Sequence, residues 1–123
     1  MAGSFPESTV YKSVVEFVES YLSVAYARDV TTGYHVWCPQ WWQHTEAVVR
    51  LDSLWRSWEF HRLDGATGLS EWWIGHADPH MRVLLDPNGP FKACSALRGH
   101  RDSIGPLPLQ SPPPGVFGPS ESP

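Results

Sequence analysis

The stretch WCPQWWQHTEAVVRLDSLWRSWEFH, from Trp37 to His61, decides how the rest of the chain is read. In its second half Ala47, Val48, Leu51, Leu54, Trp55 and Trp58 recur at intervals of three and four, which makes one broad apolar face on a helix running to about Arg62. Asp64 and Gly65 end it, glycine being the residue that accepts the left-handed conformation past a helix terminus. In the first half Pro39 suits an initial helical position, with Trp41 and Trp42 in the first turn. Two starts fit the local pattern: a continuous helix from Pro39, or a fresh one capped by Thr45.

Working outward toward the N-terminus, Tyr11, Val14, Val15, Val18, Tyr21, Leu22 and Ala25 form a second apolar stripe, opposite Lys12, Glu16 and Glu19. They predict a helix from about Thr9 to Arg28, capped by Ser8 or Thr9, after a flexible segment 1–8. Its many valines lower helix propensity, so it depends on packing. Toward the C-terminus, Ser70 is placed to cap a short helix holding Trp72 and Trp73, with Gly75 and His76 closing it. Asp78 followed by Pro79 then reads as cap and first position of another helix through Met81, Val83 and Leu85, stopped by Pro87, Asn88, Gly89 and Pro90. Phe91 to Ala96 reads as a short strand or extended arm.

Of the chain's 12 prolines seven follow Ser103, and residues 104–123 carry a single charge, Glu121. Such a segment cannot bury enough apolar surface to offset its ordering entropy and is expected to be a disordered tail. The expected architecture is therefore mainly α: one small domain over residues 9–103 with about four helices, followed by a proline-rich tail. No run approaches the ~18 apolar residues of a membrane-spanning helix. Nor does the N-terminus carry the basic flank and apolar core of a signal peptide, so a cytoplasmic setting with reduced cysteines is expected.

The net charge of −4 weighs against general nucleic-acid binding, which relies on a basic face. Arg50, Arg56 and Arg62 advance about 120° around the helix at each step, the pattern of a solvated surface rather than a stripe. Cys38, His44, His76, Asp78, His80 and Cys94 are zinc-competent ligand types. Their spacing matches no established motif; Ala77 stands where the glutamate of a HExxH pattern would be. Acid–base pairs could be drawn between His80 and Asp78 or His44 and Glu46, and a Ser, His, Asp triad assembled from many residues, but no nucleophile elbow accompanies them. The seven tryptophans include two adjacent pairs, Trp41–Trp42 and Trp72–Trp73, whose members cannot both face one core. Trp can serve interfaces through large apolar area with one polar handle.

The combined pattern of Trp37, Cys38, Trp41, Trp42 and His44, then Glu46, Ala47, Arg50, Leu51, Leu54, Trp55, Arg56, Trp58 and Glu59, then Gly68, Ser70, Trp72, Trp73, His76, Asp78, Pro79 and His80, and later Gly89, Pro90, Phe91 and Cys94, resembles an uncharacterised actinobacterial family, domain of unknown function 4913. The resemblance runs from about Val10 to Cys94 and implies a small protein of chromosomes, plasmids, integrative elements or phages, with no activity to carry over. Ile74 and Gly75 depart from the charged pair such proteins often carry there. The leading expectation is a non-enzymatic binding or accessory protein of a mobile element or phage, needing no cofactor. It would take a protein partner on a surface built from Trp41, Trp42, Trp72, Trp73, His76 and His80. The alternative is a small zinc domain, acting on nucleic acid, with Cys38, His76, His80 and Cys94 as ligands.

Overall fold

The structure, a computed structural model, describes residues 5–102 and 104–119. The ends of the segments read as flexible, residues 1–4 and 120–123, and residue 103 lie outside the described residues. Three helices and a short 3-10 turn make up the fold, and the described residues contain no strand. Helix α1 covers residues 14–25, helix α2 covers Thr45–His61, and helix α3 covers residues 68–84. The 3-10 turn, Trp41–Gln43, leads into α2.

Helix α1 starts later than its apolar stripe suggests. Ser13 is its cap, accepting from the Glu16 amide at 3.1 Å, while the Glu16 carboxylate accepts from the Lys12 amide at 2.9 Å. This reciprocal cap satisfies two amides that a helix start leaves without partners. The preceding amides are taken elsewhere. Val10 and Tyr11 both donate to the carboxylate of Glu59 on α2, each at 2.9 Å, so this segment is tied across to α2 instead of winding into α1. Further back, Phe5 packs edge-on against Trp55, and Arg62 donates to the Ser8 carbonyl.

Helix α2 begins at Thr45, with His44 in the cap position and its side chain turned away from the helix. Of the two starts that the sequence left open, the structure takes the interrupted one. The apolar face is used as the spacing requires: Ala47, Leu51, Leu54, Trp55 and Trp58 are buried. Arg50, Arg56 and Arg62 each pair with a carboxylate one turn back, Glu46, Asp52 and Glu59.

The two short C-terminal helices expected around Ser70 and Pro79 are one. Proline 79 has no amide to donate and its ring would crowd the preceding turn. The backbone meets this by widening into a π turn over Trp73–Ala77, after which Asp78–Leu84 continues as α-helix. Asp78 is helical and caps nothing; its carboxylate accepts from the Tyr26 hydroxyl at 2.8 Å. At the other end, a Cβ on Gly68 would lie 1.9 Å from the His61 carbonyl oxygen, so glycine is what lets α3 begin directly against the end of α2.

The core is aromatic. Tyr11, Phe17 and Tyr21 surround Trp58, and Trp72 packs on Phe17 and Tyr21, at ring separations of 5.0 to 6.3 Å. The fully buried Trp72 donates from Nε1 to the Leu54 carbonyl and the Ser57 hydroxyl at 3.1 and 3.0 Å, which fixes α3 on α2. After α3 the chain turns through residues 86–93 and places Phe91, fully buried, edge-on to Trp37. In place of the expected strand or arm, Ser95 and Gly99 make an isolated antiparallel bridge. Residues 104–119 run exposed without helix or strand.

Candidate metal centre

Two segments far apart in sequence meet beside Phe91. The first is the loop that enters the 3-10 turn, carrying Cys38 and ending at His44; the second is the tight hairpin from Cys94 to His100. Their ligand atoms, from Cys38, His44, Cys94 and His100, all lie within 4.8 Å of one another.

Local structure explains why each side chain points inward. Trp41 is buried and anchors the 3-10 turn, and the extended backbone of His44 at the α2 cap swings its imidazole away from the helix start. That ring packs edge-on to Phe91 at 5.0 Å and presents Nε2 to the Cys94 sulfur at 3.5 Å. In the hairpin, Ser95 and Gly99 exchange backbone bonds at 3.1 and 2.8 Å, and Gly99 adopts φ 84°, which a side chain would disfavour. The closure brings His100 back over Cys94. His100 Nδ1 lies 3.3 Å from the Cys38 sulfur and 3.9 Å from that of Cys94. Its other nitrogen, Nε2, donates to Asp102 at 2.8 Å.

These separations can be compared with what a metal demands. Zinc bound tetrahedrally with Zn–S of about 2.3 Å and Zn–N of about 2.0–2.1 Å sets sulfur-to-nitrogen edges of about 3.6 Å. The three sulfur–nitrogen distances of 3.3, 3.5 and 3.9 Å bracket that value. The surroundings fit as well. A histidine ligand whose second nitrogen donates to a carboxylate is the usual outer arrangement of a metal site, and His100 with Asp102 reproduces it. The Arg101 amide donates to the Cys94 sulfur at 3.3 Å, an interaction that strengthens when the sulfur is a thiolate.

Electrostatics without a cation run the other way. Burial pushes the Cys38 thiol up to about 11, with the neighbouring Cys94 adding to the rise, and burial together with His100 lowers the pKa of His44. A divalent cation among the four reverses this logic for the thiols, because it favours thiolate and neutral imidazole. Both cysteines are free of disulfide.

Of the alternative ligand set drawn from sequence, Cys38, His76, His80 and Cys94, the structure brings the two cysteines together and places the two histidines elsewhere. Cys38 and Cys94 do meet, but with His44 and His100. His76 faces His61, Nε2 to Nε2 at 3.2 Å, and His80 Nδ1 accepts from Arg50 at 3.0 Å, so the two α3 histidines engage different parts of α2. Burial lowers the pKa of both, aided at His76 by His61 and at His80 by Arg50 and His76. His100 was missed. A usable signal existed: Cys38 and His44 are separated by five residues, and so are Cys94 and His100. The repeated Cys-x5-His interval sets the two pairs apart from His76 and His80, which stand at no such interval from a cysteine.

The aromatic surface residues are divided by the packing. Trp41 and the fully buried Trp72 belong to the core, Trp73 is half-buried and stacks on Tyr26 at 5.3 Å, and Trp42 is exposed. Among the described residues no helix is long and apolar enough to cross a membrane.

The model of one protein family, described as a domain of unknown function (DUF4913), matches residues 11–113. The chain belongs to that family. The match extends past Cys94, the end of the resemblance read from the sequence pattern, and so takes in His100 and the first part of the proline-rich segment. No curated protein and no solved structure matches the chain.

Proposed function

We propose that this protein is a non-enzymatic binding module whose fold is closed by one structural zinc ion held by Cys38, His44, Cys94 and His100, working in the reducing cytoplasm. The observation that carries the reading is the convergence of those four ligand atoms within 4.8 Å. Two sulfurs and two imidazoles suit zinc better than magnesium or calcium, which take oxygen ligands. Four protein ligands complete a tetrahedron, whereas a catalytic zinc keeps a position open for water or substrate. Phe91, packed edge-on to Trp37 and His44, lies beside the four ligands, and the metal's role is to fasten the 94–100 hairpin to the entrance of α2.

Native mass spectrometry of the reduced, untagged full chain, before and after chelation, tests this together with thermal melts. One zinc per chain is expected, its removal lowering the melting temperature, and Cys94→Ser and His100→Ala should each purify with less metal. Structural zinc in small peptides contributes about 10–16 kcal/mol of apparent binding free energy, so the drop should be large. A metal-free mass with melts indifferent to chelator overturns the proposal.

A further inference from the structure

We propose that the metal-fastened hairpin, with Arg98 and Arg101, and the adjoining Trp42 form a contact surface for single-stranded nucleic acid. The inference rests on the zinc reading above and adds a partner to it. It begins with where positive charge is left over. The chain as a whole is acidic, at −4, yet residues 93–101 contain Arg98 and Arg101 and no carboxylate. On α2 the arginines are neutralised, each by its own carboxylate, and Arg28 lies over the Tyr26 ring. Arg98 and Arg101 are exposed and have no ion pair among the described residues; Asp102, which follows Arg101, is engaged by His100.

The hairpin also presents its tip outward. The Arg98 amide donates to the Ser95 hydroxyl at 2.8 Å, and Leu97 is 95% exposed at the apex. Trp42 is 57% exposed, with no ring partner among the described residues, while Trp41 beside it is buried as an anchor. Trp42 precedes His44 by two residues and Arg98 precedes His100 by two, so each Cα lies within about 7.6 Å of a proposed ligand's Cα. The two ligand rings are themselves 4.7 Å apart. An exposed indole and two guanidinium groups without an ion pair are thus carried on the two segments that the proposed zinc would join.

Stacking on an aromatic face combined with phosphate contacts is how single strands are held without sequence preference. A duplex hides its base faces and presents far more phosphate charge, which an acidic protein with so small a basic patch is poorly placed to meet. Zinc with two thiolates and two neutral imidazoles is electrically neutral, so the metal positions the arginines without adding charge of its own.

The test is fluorescence anisotropy of a labelled oligothymidylate of about 15 nucleotides titrated with zinc-loaded full-length protein at about 50 mM salt. Binding is expected to weaken with salt at a slope of about −1.4, the value for two single-strand phosphate contacts. The Arg98→Glu, Arg101→Glu double variant should lose at least about tenfold in affinity, and Trp42→Ala about fivefold or more. Arg56→Glu, on α2 and paired in the wild type, should change it little. Zinc content measured on the same samples separates the two readings. A zinc-loaded protein that ignores the oligonucleotide, or binds it regardless of these substitutions, overturns the contact surface and leaves the metal site standing. A metal-free protein whose binding still depends on Arg98 and Arg101 overturns the metal and keeps the surface. Equal affinity for polyglutamate, or for duplex of the same length, overturns the choice of a single strand.

Discussion

Replacing Glu59 should unfasten the N-terminal segment from the domain, and the structure allows the size of the effect to be worked out. Glu59 is fully buried, and its carboxylate accepts four hydrogen bonds: from the Val10 and Tyr11 amides at 2.9 Å each, Trp55 Nε1 at 3.2 Å and Arg62 Nε at 2.7 Å. Burial alone would raise its pKa, but the donations from Tyr11, Val10, Arg62 and Trp55 outweigh it and the pKa is lowered. Glu59→Ala removes the acceptor and leaves those donors behind. Breaking a buried charge pair by removing one partner costs about 3–5 kcal/mol. Arg62 is 23% exposed and can turn to water, which places the expectation at the lower end, about 3 kcal/mol. In a domain of about 100 residues that corresponds to a fall in melting temperature of about 12–24 °C. Glu59→Gln keeps one acceptor oxygen and should fall between.

The same carboxylate gives a pH signature. Its folded pKa lies below its ordinary value of 4.5, so its stabilisation is present in full above that value and is lost as pH falls through the folded pKa. Urea unfolding followed by circular dichroism at neutral pH and at steps below pH 5 is the assay. Wild type should lose stability over the acid range more steeply than Glu59→Gln. A Glu59→Ala protein within about 1 kcal/mol of wild type, or identical acid profiles, would refute the reasoning.

Three further substitutions probe the helix junction and the candidate metal centre. Gly68→Ala forces a Cβ onto the His61 carbonyl oxygen, a backbone atom that cannot swing aside, and should cost more than about 2 kcal/mol in a denaturant melt. Gly75→Ala meets nothing within 4 Å and should be neutral or mildly stabilising; equal effects at the two sites would contradict the packing of α3 on α2. Asp102→Asn removes the carboxylate behind His100 Nε2 and should lower zinc affinity about tenfold in competition with a chromophoric chelator, without changing the zinc-saturated circular dichroism spectrum. Unchanged affinity would mean that His100 does not bind metal through Nδ1.

Which parts of this protein were legible in the sequence follows from the range over which each signal acts. Helical periodicity is local, so the buried face of α2, with Leu51, Leu54, Trp55 and Trp58, could be read directly, as could the helical class of the fold. The family was legible too, from a pattern of tryptophan, cysteine and histidine positions. Caps and helix boundaries were less so, because competing partners decide them. Ser13 begins α1, and not Ser8 or Thr9, since Glu59, some 48 residues away, takes the amides that an earlier start would have used. Asp78 and Pro79 look like a helix start in isolation, yet the π turn before them accommodates the proline and Tyr26 claims the carboxylate, so α3 runs through.

The candidate metal centre belongs to the tertiary structure more than any other feature. Sequence determined the ligand chemistry, two thiols and several imidazoles in a chain without a disulfide framework. It also held the repeated Cys-x5-His interval within which each half-site closes. Only the packing of Phe91 between Trp37 and His44 decided which histidines join the cysteines. A ligand set is defined by distances between atoms, and here those distances span as many as 62 residues of chain, from Cys38 to His100.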